Sequence, residues 1–265
     1  MNVVGIIAEY NPMHNGHIYN IQKAKELSNA DFVIVIMSGS FTEQGNVSVI
    51  NKFERAKIAI ENGADMVLEL PTIYAISSAE NFAFGAVNIL NSLNVITHLA
   101  FGAESDKICD LQNIANTYLN HENEIVCDII NLSKKGLNSA QSYWQTLSKY
   151  VDITENFSLP NNILAIEYLK SLIRLKSQIK PVLVHRLNSS HNDTKTCDKD
   201  VFSSSTSIRH TLFDTTLTRN EVFDKIIKYI PQNTYDYLKN NKLHSNEDLW
   251  EILKYEIIKL NLCRS

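Results

Sequence analysis

Two histidines three positions apart, His14 and His17, lie in the stretch VVGIIAEYNPMHNGHIYN (residues 3–20), with Asn15 and Gly16 between them. Imidazole N–H groups can donate to phosphate oxygens, and those oxygens gain charge when a phosphoryl or nucleotidyl group is transferred. Such chemistry depends on positioning and charge stabilisation more than on a nucleophile. The same spacing would also serve a metal pair, or two surface imidazoles in an ordinary loop between strand and helix.

The elements around the pair favour the first use. An apolar run from Val3 to Ala8, rich in β-branched residues, reads as a buried parallel strand. A loop with Asn11 and Pro12 follows. Directly behind His17 an amphipathic helix begins, with Ile18, Ile21, Ala24 and Leu27 on its apolar side. A helix N-terminus presents unpaired N–H groups and a positive dipole end, a seat for an anion such as a triphosphate, and Gly16 lets the backbone approach it.

The chain's 265 residues allow one sizeable domain with a small appendage. A net charge of −4 gives no bulk attraction to nucleic acid or anionic membrane. No apolar run approaches the ~20 residues of a membrane span, and the N-terminus enters a strand with no basic segment before it, so a cytoplasmic location is expected. Cys109, Cys127, Cys197 and Cys263 lie far apart, signalling neither a zinc knuckle nor a disulfide framework.

Strands and helices alternate along the chain. Strands are expected at Phe32 to Met37, Met66 to Leu70, His98 to Phe101 and Pro181 to His185. One helix should start near Asn51 with Glu54 in capping-box spacing, stop at Gly63 and face inward through Phe53, Ala56, Ile58 and Ile60. Another, Ser78 to Leu93, should bury Phe82, Ala86, Ile89 and Leu93. From Asp106 to about Tyr150 the pattern is a helical insertion in three pieces, with breaks near His121 and Gly136, serving either as a cover or in substrate binding. Pro160-Asn161-Asn162 opens a further helix. The alternation predicts an α/β fold, a parallel sheet with right-handed crossovers that binds its ligand at the carboxyl ends of the strands. Gly102 and the His14 loop lie at such ends. Arg186, past the last strand, would suit a phosphate or a base, or would simply be solvated.

Near residue 203 the run Phe202-Ser203-Ser204-Ser205-Thr206-Ser207-Ile208-Arg209 leads into a helix, where serines are ordinarily caps. Here it resembles the ISSTxIR signature of the HIGH-motif nucleotidyltransferase superfamily, just as His14-Asn15-Gly16-His17 resembles that superfamily's HxGH signature. The resemblance implies a Rossmann-like sheet, two histidines at the ATP phosphates, hydroxyls and helix N–H groups at the β- and γ-phosphates, and a basic residue for the leaving pyrophosphate.

Together with MSGSFTEQG, NKFERAKIAIENGADMVLELP, FAFGAV, FGAES and PNNILAIEYLK, these segments resemble the bacterial tRNA(Met) cytidine acetate ligases over nearly all of residues 1 to 215. That resemblance implies activation of acetate by ATP to acetyl-adenylate and transfer of the acetyl group to N4 of the wobble cytidine in elongator tRNA(Met), with Mg2+ bridging the phosphates. It implies His14 and His17 as catalytic residues. The ATP site would comprise Ile7, Ala8, Glu9, Tyr10, Asn11, Pro12, Met13, His14, Asn15, Gly16, His17, Ile18, Tyr19 and Asn20. Gly102, Asn161, Asn162, Arg186, Ser204, Ser205, Thr206 and Arg209 would complete it.

Three departures from the family pattern stand out: Ser40 where an acidic residue precedes the loop phenylalanine, Gln44-Gly45 where an arginine follows the glutamine, and Leu187-Asn188-Ser189-Ser190-His191 where the family is richer in glycine and has an aromatic residue. The expected organisation is an ATP-binding domain over 1–215 and a helical tail over 216–265, the start of a shortened C-terminal domain. The tail's 8 Lys/Arg against 7 Asp/Glu from Arg219 onward provide no basic surplus for tRNA. Whether a homodimer completes the tRNA surface stays open. Two alternatives remain: a degenerate ATP-binding paralogue without ligase activity, or another nucleotidyltransferase acting on a small substrate.

Overall fold

The computed structural model describes residues 1–152, 155–185 and 203–262. Strands β1 (Val3–Ala8), β2 (Phe32–Ser38), β3 (Met66–Leu70), β4 (His98–Ala103) and β5 (Lys180–His185) form one parallel sheet in the order β3-β2-β1-β4-β5. Val4, Ile6, Val33, Val35 and Ile36 are buried, as a sheet covered on both faces requires.

Helices α1 (Asn15–Ser28), α2 (Lys52–Glu61), α3 (Thr72–Ala75) and α4 (Ala79–Ser92) connect the first four strands. The chain winds outward from β1 to β3, then α3 and α4 carry it back to β4 on the other side of β1. The connection reverses between β1 and β4, where a crevice opens at the carboxyl ends of an open α/β sheet. Gly5 on β1 allows this packing, since a Cβ there would lie 2.8 Å from the Leu90 side chain of α4.

The insertion consists of α5 (Ile108–Asn120), α6 (Glu122–Lys134) and α7 (Ser139–Leu147), and its breaks fall where the sequence indicates. Leu111, Ile114, Ala115 and Tyr118 of α5 join Phe82, Leu90 and Leu169 in one core beside α8 (Pro160–Arg174). The insertion thus packs chiefly against α8. On the opposite face a second core combines Ile21, Val35 and Ala59 with residues from α9 (Ser205–Leu212), α10 (Arg219–Ile226) and α11 (Gln232–Asn240). Residues 219–240 thus pack on the sheet domain itself, and Asn15 Nδ2 donates to the Lys228 carbonyl at 3.0 Å. The last helix, α12 (Trp250–Leu262), carries Trp250, Ile252, Leu253 and Tyr255 exposed.

Helix orientations differ from expectation in two places. On α2, Phe53 is 76% and Ile60 51% exposed, and the buried residues are Arg55, Ile58 and Ala59. The guanidinium takes the interior position because three loop carbonyls there need a donor: Ile50, Glu9 and Gly39 all accept from it. On α1, Leu27 is exposed, and Ser28 turns inward to donate to Ala24 O.

Candidate active site

The crevice between β1 and β4 opens into a cavity of about 340 Å³, within the range of small-molecule clefts. His14 caps α1, and its Nδ1 accepts from Gly16 N–H at 3.0 Å. His17 returns the contact, its Nδ1 accepting from His14 N–H at 3.2 Å. Each neutral ring that accepts at Nδ1 carries its proton on Nε2, so both imidazoles are donors at that atom. The rings stack with centroids 3.7 Å apart, and Tyr10 meets His17 edge-on at 4.9 Å.

Loop geometry fixes the approach to this pair. Tyr10 has φ 48°, a left-handed conformation rare outside glycine, and the Asn11–Pro12 peptide is cis. Asn11 is buried, and its Oδ1 accepts from Val49 N–H at 2.8 Å. Its Nδ2 has no partner among the described residues. A buried amide held by its oxygen in a cavity wall offers its N–H groups to an anionic ligand.

The segment after residue 203 closes on the same loop. Ser204 caps α9, Ser205 Oγ donates to Pro12 O at 3.2 Å, and Arg209 Nη1 donates to Asn11 O at 2.8 Å. Thr206 Oγ1 accepts from Arg209 Nη2 at 3.1 Å, bracing the guanidinium. Two N-termini, those of α1 and α9, thereby converge on one cavity.

Acidic groups line it too. Glu9 accepts from Glu43 N–H at 2.7 Å, and burial raises the Glu9 carboxyl pKa, opposed by that N–H and by Arg209 and Arg55. Glu43 is raised by burial and by Glu9. Burial lowers Arg55 to about 10, still protonated at neutral pH. No group of three or more His, Cys, Asp or Glu side chains is arranged for a metal among the described residues.

The HIGH Nucleotidyl Transferase family model matches residues 1–263. The chain belongs to the HIGH nucleotidyl transferase family. Curated relatives named tRNA(Met) cytidine acetate ligase include that of Thermosipho melanesiensis, 41% identical over 90% of this chain and 55% of its own length. That of Clostridium novyi is 38% identical over 98% of this chain and 65% of its own length. The chain thus spans between about half and two thirds of these relatives. A crystal structure of Thermotoga maritima TmcAL bound with alpha-thio ATP aligns with a TM-score of 0.78 at 33% identity, covering 89% of this chain and 55% of that one.

In this HIGH nucleotidyl transferase the cavity collects Ile7, Ala8, Glu9, Tyr10, Asn11, His14, Gly16, His17, Tyr19 and Asn20 from the first segment, with Gly102, Asn161, Ser204 and Ser205. Other residues of the expected set stand behind the lining. Met13 is in the core, Pro12 accepts from Ser205, Asn15 turns to Lys228, and Ile18 packs in the second core. Asn162 is fully buried, and its Oδ1 accepts from the Glu104 and Ser105 N–H groups. Arg186 lies outside the described residues.

Glu43, Phe82, Leu164, Tyr168 and His185 line the cavity without having been singled out as site residues. His185 ends β5 and Glu43 follows β2, so the rule that ligands gather at carboxyl ends of strands would have found both. Phe82, Leu164 and Tyr168 read only as apolar helix faces, a pattern shared by core and pocket wall.

No helix among the described residues is long and apolar enough to cross a membrane.

Proposed function

We propose that this chain is the catalytic region of an ATP-dependent acetate ligase acting on the wobble cytidine of elongator tRNA(Met) in the cytoplasm. The observation that carries the reading is the reciprocally capped pair His14 and His17 at the mouth of the cavity. The names of its relatives supply acetate and tRNA(Met), and the alpha-thio ATP on the Thermotoga maritima protein supplies the nucleotide.

An acetate oxygen attacks the α-phosphorus of ATP, the bond to the β-phosphate oxygen breaks, and acetyl-adenylate and pyrophosphate result. The Nε2–H donors of His14 and His17 and the N-terminus of α1 stabilise charge on the phosphoryl oxygens. The Ser204 hydroxyl and the backbone N–H groups at the N-terminus of α9, that of Ser205 among them, hold the departing pyrophosphate, with Arg209 behind them. The cytidine N4 amine then attacks the acetyl carbonyl, AMP leaves, and the amine gives up a proton. Acetate is ionised at neutral pH, so the first step needs no general base. Mg2+ would accompany the triphosphate, bound by phosphate oxygens and water, and the hard oxygens of Glu9 and Glu43 in the cavity wall suit it.

The test is acetate-dependent exchange of labelled pyrophosphate into ATP, then acetylation of tRNA(Met) transcript. Exchange that requires acetate is the expected result. Nucleotide binding with no exchange for any small carboxylate would leave a binding module in place of a ligase.

A further inference from the structure

Helix α8 begins against the loop that leaves β4, and four hydrogen bonds join them. Glu104 Oε2 accepts from Asn162 N–H at 2.9 Å, and Glu104 Oε1 accepts from Asn161 Nδ2 at 2.5 Å. In return Asn162 Oδ1 accepts from Glu104 N–H and Ser105 N–H at 2.9 and 3.0 Å. The bond from Asn162 N–H secures the helix start, and the two to Asn162 Oδ1 secure the loop. The contact to Asn161 does something else, because Asn161 is in the cavity wall.

A carboxylate can only accept, so it takes the nitrogen edge of the Asn161 amide and excludes the oxygen edge. One N–H of the amide is thereby committed to Glu104, while Asn161 Oδ1 accepts from no donor among the described residues and is available to a ligand in the cavity. The cavity wall also holds Phe82, Phe101, Leu164 and Tyr168, flat or aliphatic surfaces that suit a purine, and the proposed reading gives the phosphates to the N-termini of α1 and α9.

We propose that Glu104 is a positioning residue for base selection. By holding the nitrogen of the Asn161 amide it sets the oxygen toward the bound base, favouring adenine, whose 6-amino group donates, over purines with a 6-carbonyl. This rests on the reading that a nucleoside triphosphate occupies the cavity, and is independent of acetate or tRNA.

The experiment is equilibrium binding of ATP and of inosine triphosphate to the whole chain and to Glu104→Gln, Asn161→Ala and the double variant, with a thermal melt of each. The unaltered chain should prefer ATP by about tenfold or more, since the wrong base leaves two buried acceptors facing each other. In Glu104→Gln the preference should fall to about threefold or less, because a glutamine amide can meet either edge of Asn161. Asn161→Ala should lose the preference equally, and Glu104→Gln should then change nothing further, the signature of one residue acting through the other. An equal weakening of both nucleotides in Glu104→Gln, or an unchanged ratio, overturns the proposal and leaves Glu104 as a helix cap alone. If Glu104→Gln fails to fold, an unchanged ratio in Asn161→Ala overturns it. Binding of neither nucleotide by the unaltered chain overturns the nucleotide reading, and this one with it.

Discussion

His17 accepts the backbone N–H of His14 on Nδ1 at 3.2 Å, so the second histidine of the motif is a structural cap for the first. Cap and chemistry use different atoms of one ring, which makes them separable. In His17→Asn the amide oxygen can replace Nδ1 but nothing replaces Nε2, whereas His17→Ala removes both. Both variants should lose about 100-fold or more in pyrophosphate exchange, as for a missing transition-state donor. Only His17→Ala should also lose about 1 kcal/mol of stability in urea denaturation.

Burial on α2 gives a second contrast. Ile58 is 3% exposed and Phe53 76%. Ile58→Ala should cost about 2–5 kcal/mol. Phe53→Ser should stay within about 0.5 kcal/mol of the unaltered protein by the same urea titration.

Arg55 should be among the most sensitive positions in the domain. Arg55→Met removes the donor to three carbonyls, each of which costs about 1–3 kcal/mol when left buried and unpaired. Its urea midpoint should fall far below that of Phe53→Ser.

The raised Glu9 pKa has a defined pH signature. Between the ordinary carboxylate value of 4.5 and the raised one, the native state binds more protons at Glu9 than the unfolded state does. Stability from this group is therefore greatest at low pH and falls as pH rises through that window. Glu9→Gln should flatten this part of the stability profile, measured by urea unfolding at intervals from pH 4.5 to 7. A profile as steep as the unaltered protein's would assign the slope to other groups.

Sheet, crossovers and the three-piece insertion were legible because a parallel sheet writes itself as short β-branched runs, such as Val3 to Ala8, punctuated by helix caps such as Asn51 and Thr218. The two helix N-termini that meet at the cavity were legible as well, since caps such as His14 and Ser204 follow local rules. The face of α2 was not, because periodicity assigns apolar residues inward and cannot register that distant carbonyls of Glu9 and Gly39 need a donor. The division of labour between Asn161 and Asn162 was hidden for a similar reason: adjacent identical side chains on one helix differ only in what the β4 loop presents to them.

Arg55 also ties the ends of two loops, those after β1 and β2, into one body. Glu9 and Glu43, which line the cavity, belong to these same loops. Freezing that wall during folding removes an ordering penalty from ligand capture. On that side of the crevice, association should therefore involve little backbone reorganisation, and a nucleotide should meet a surface already in its final shape.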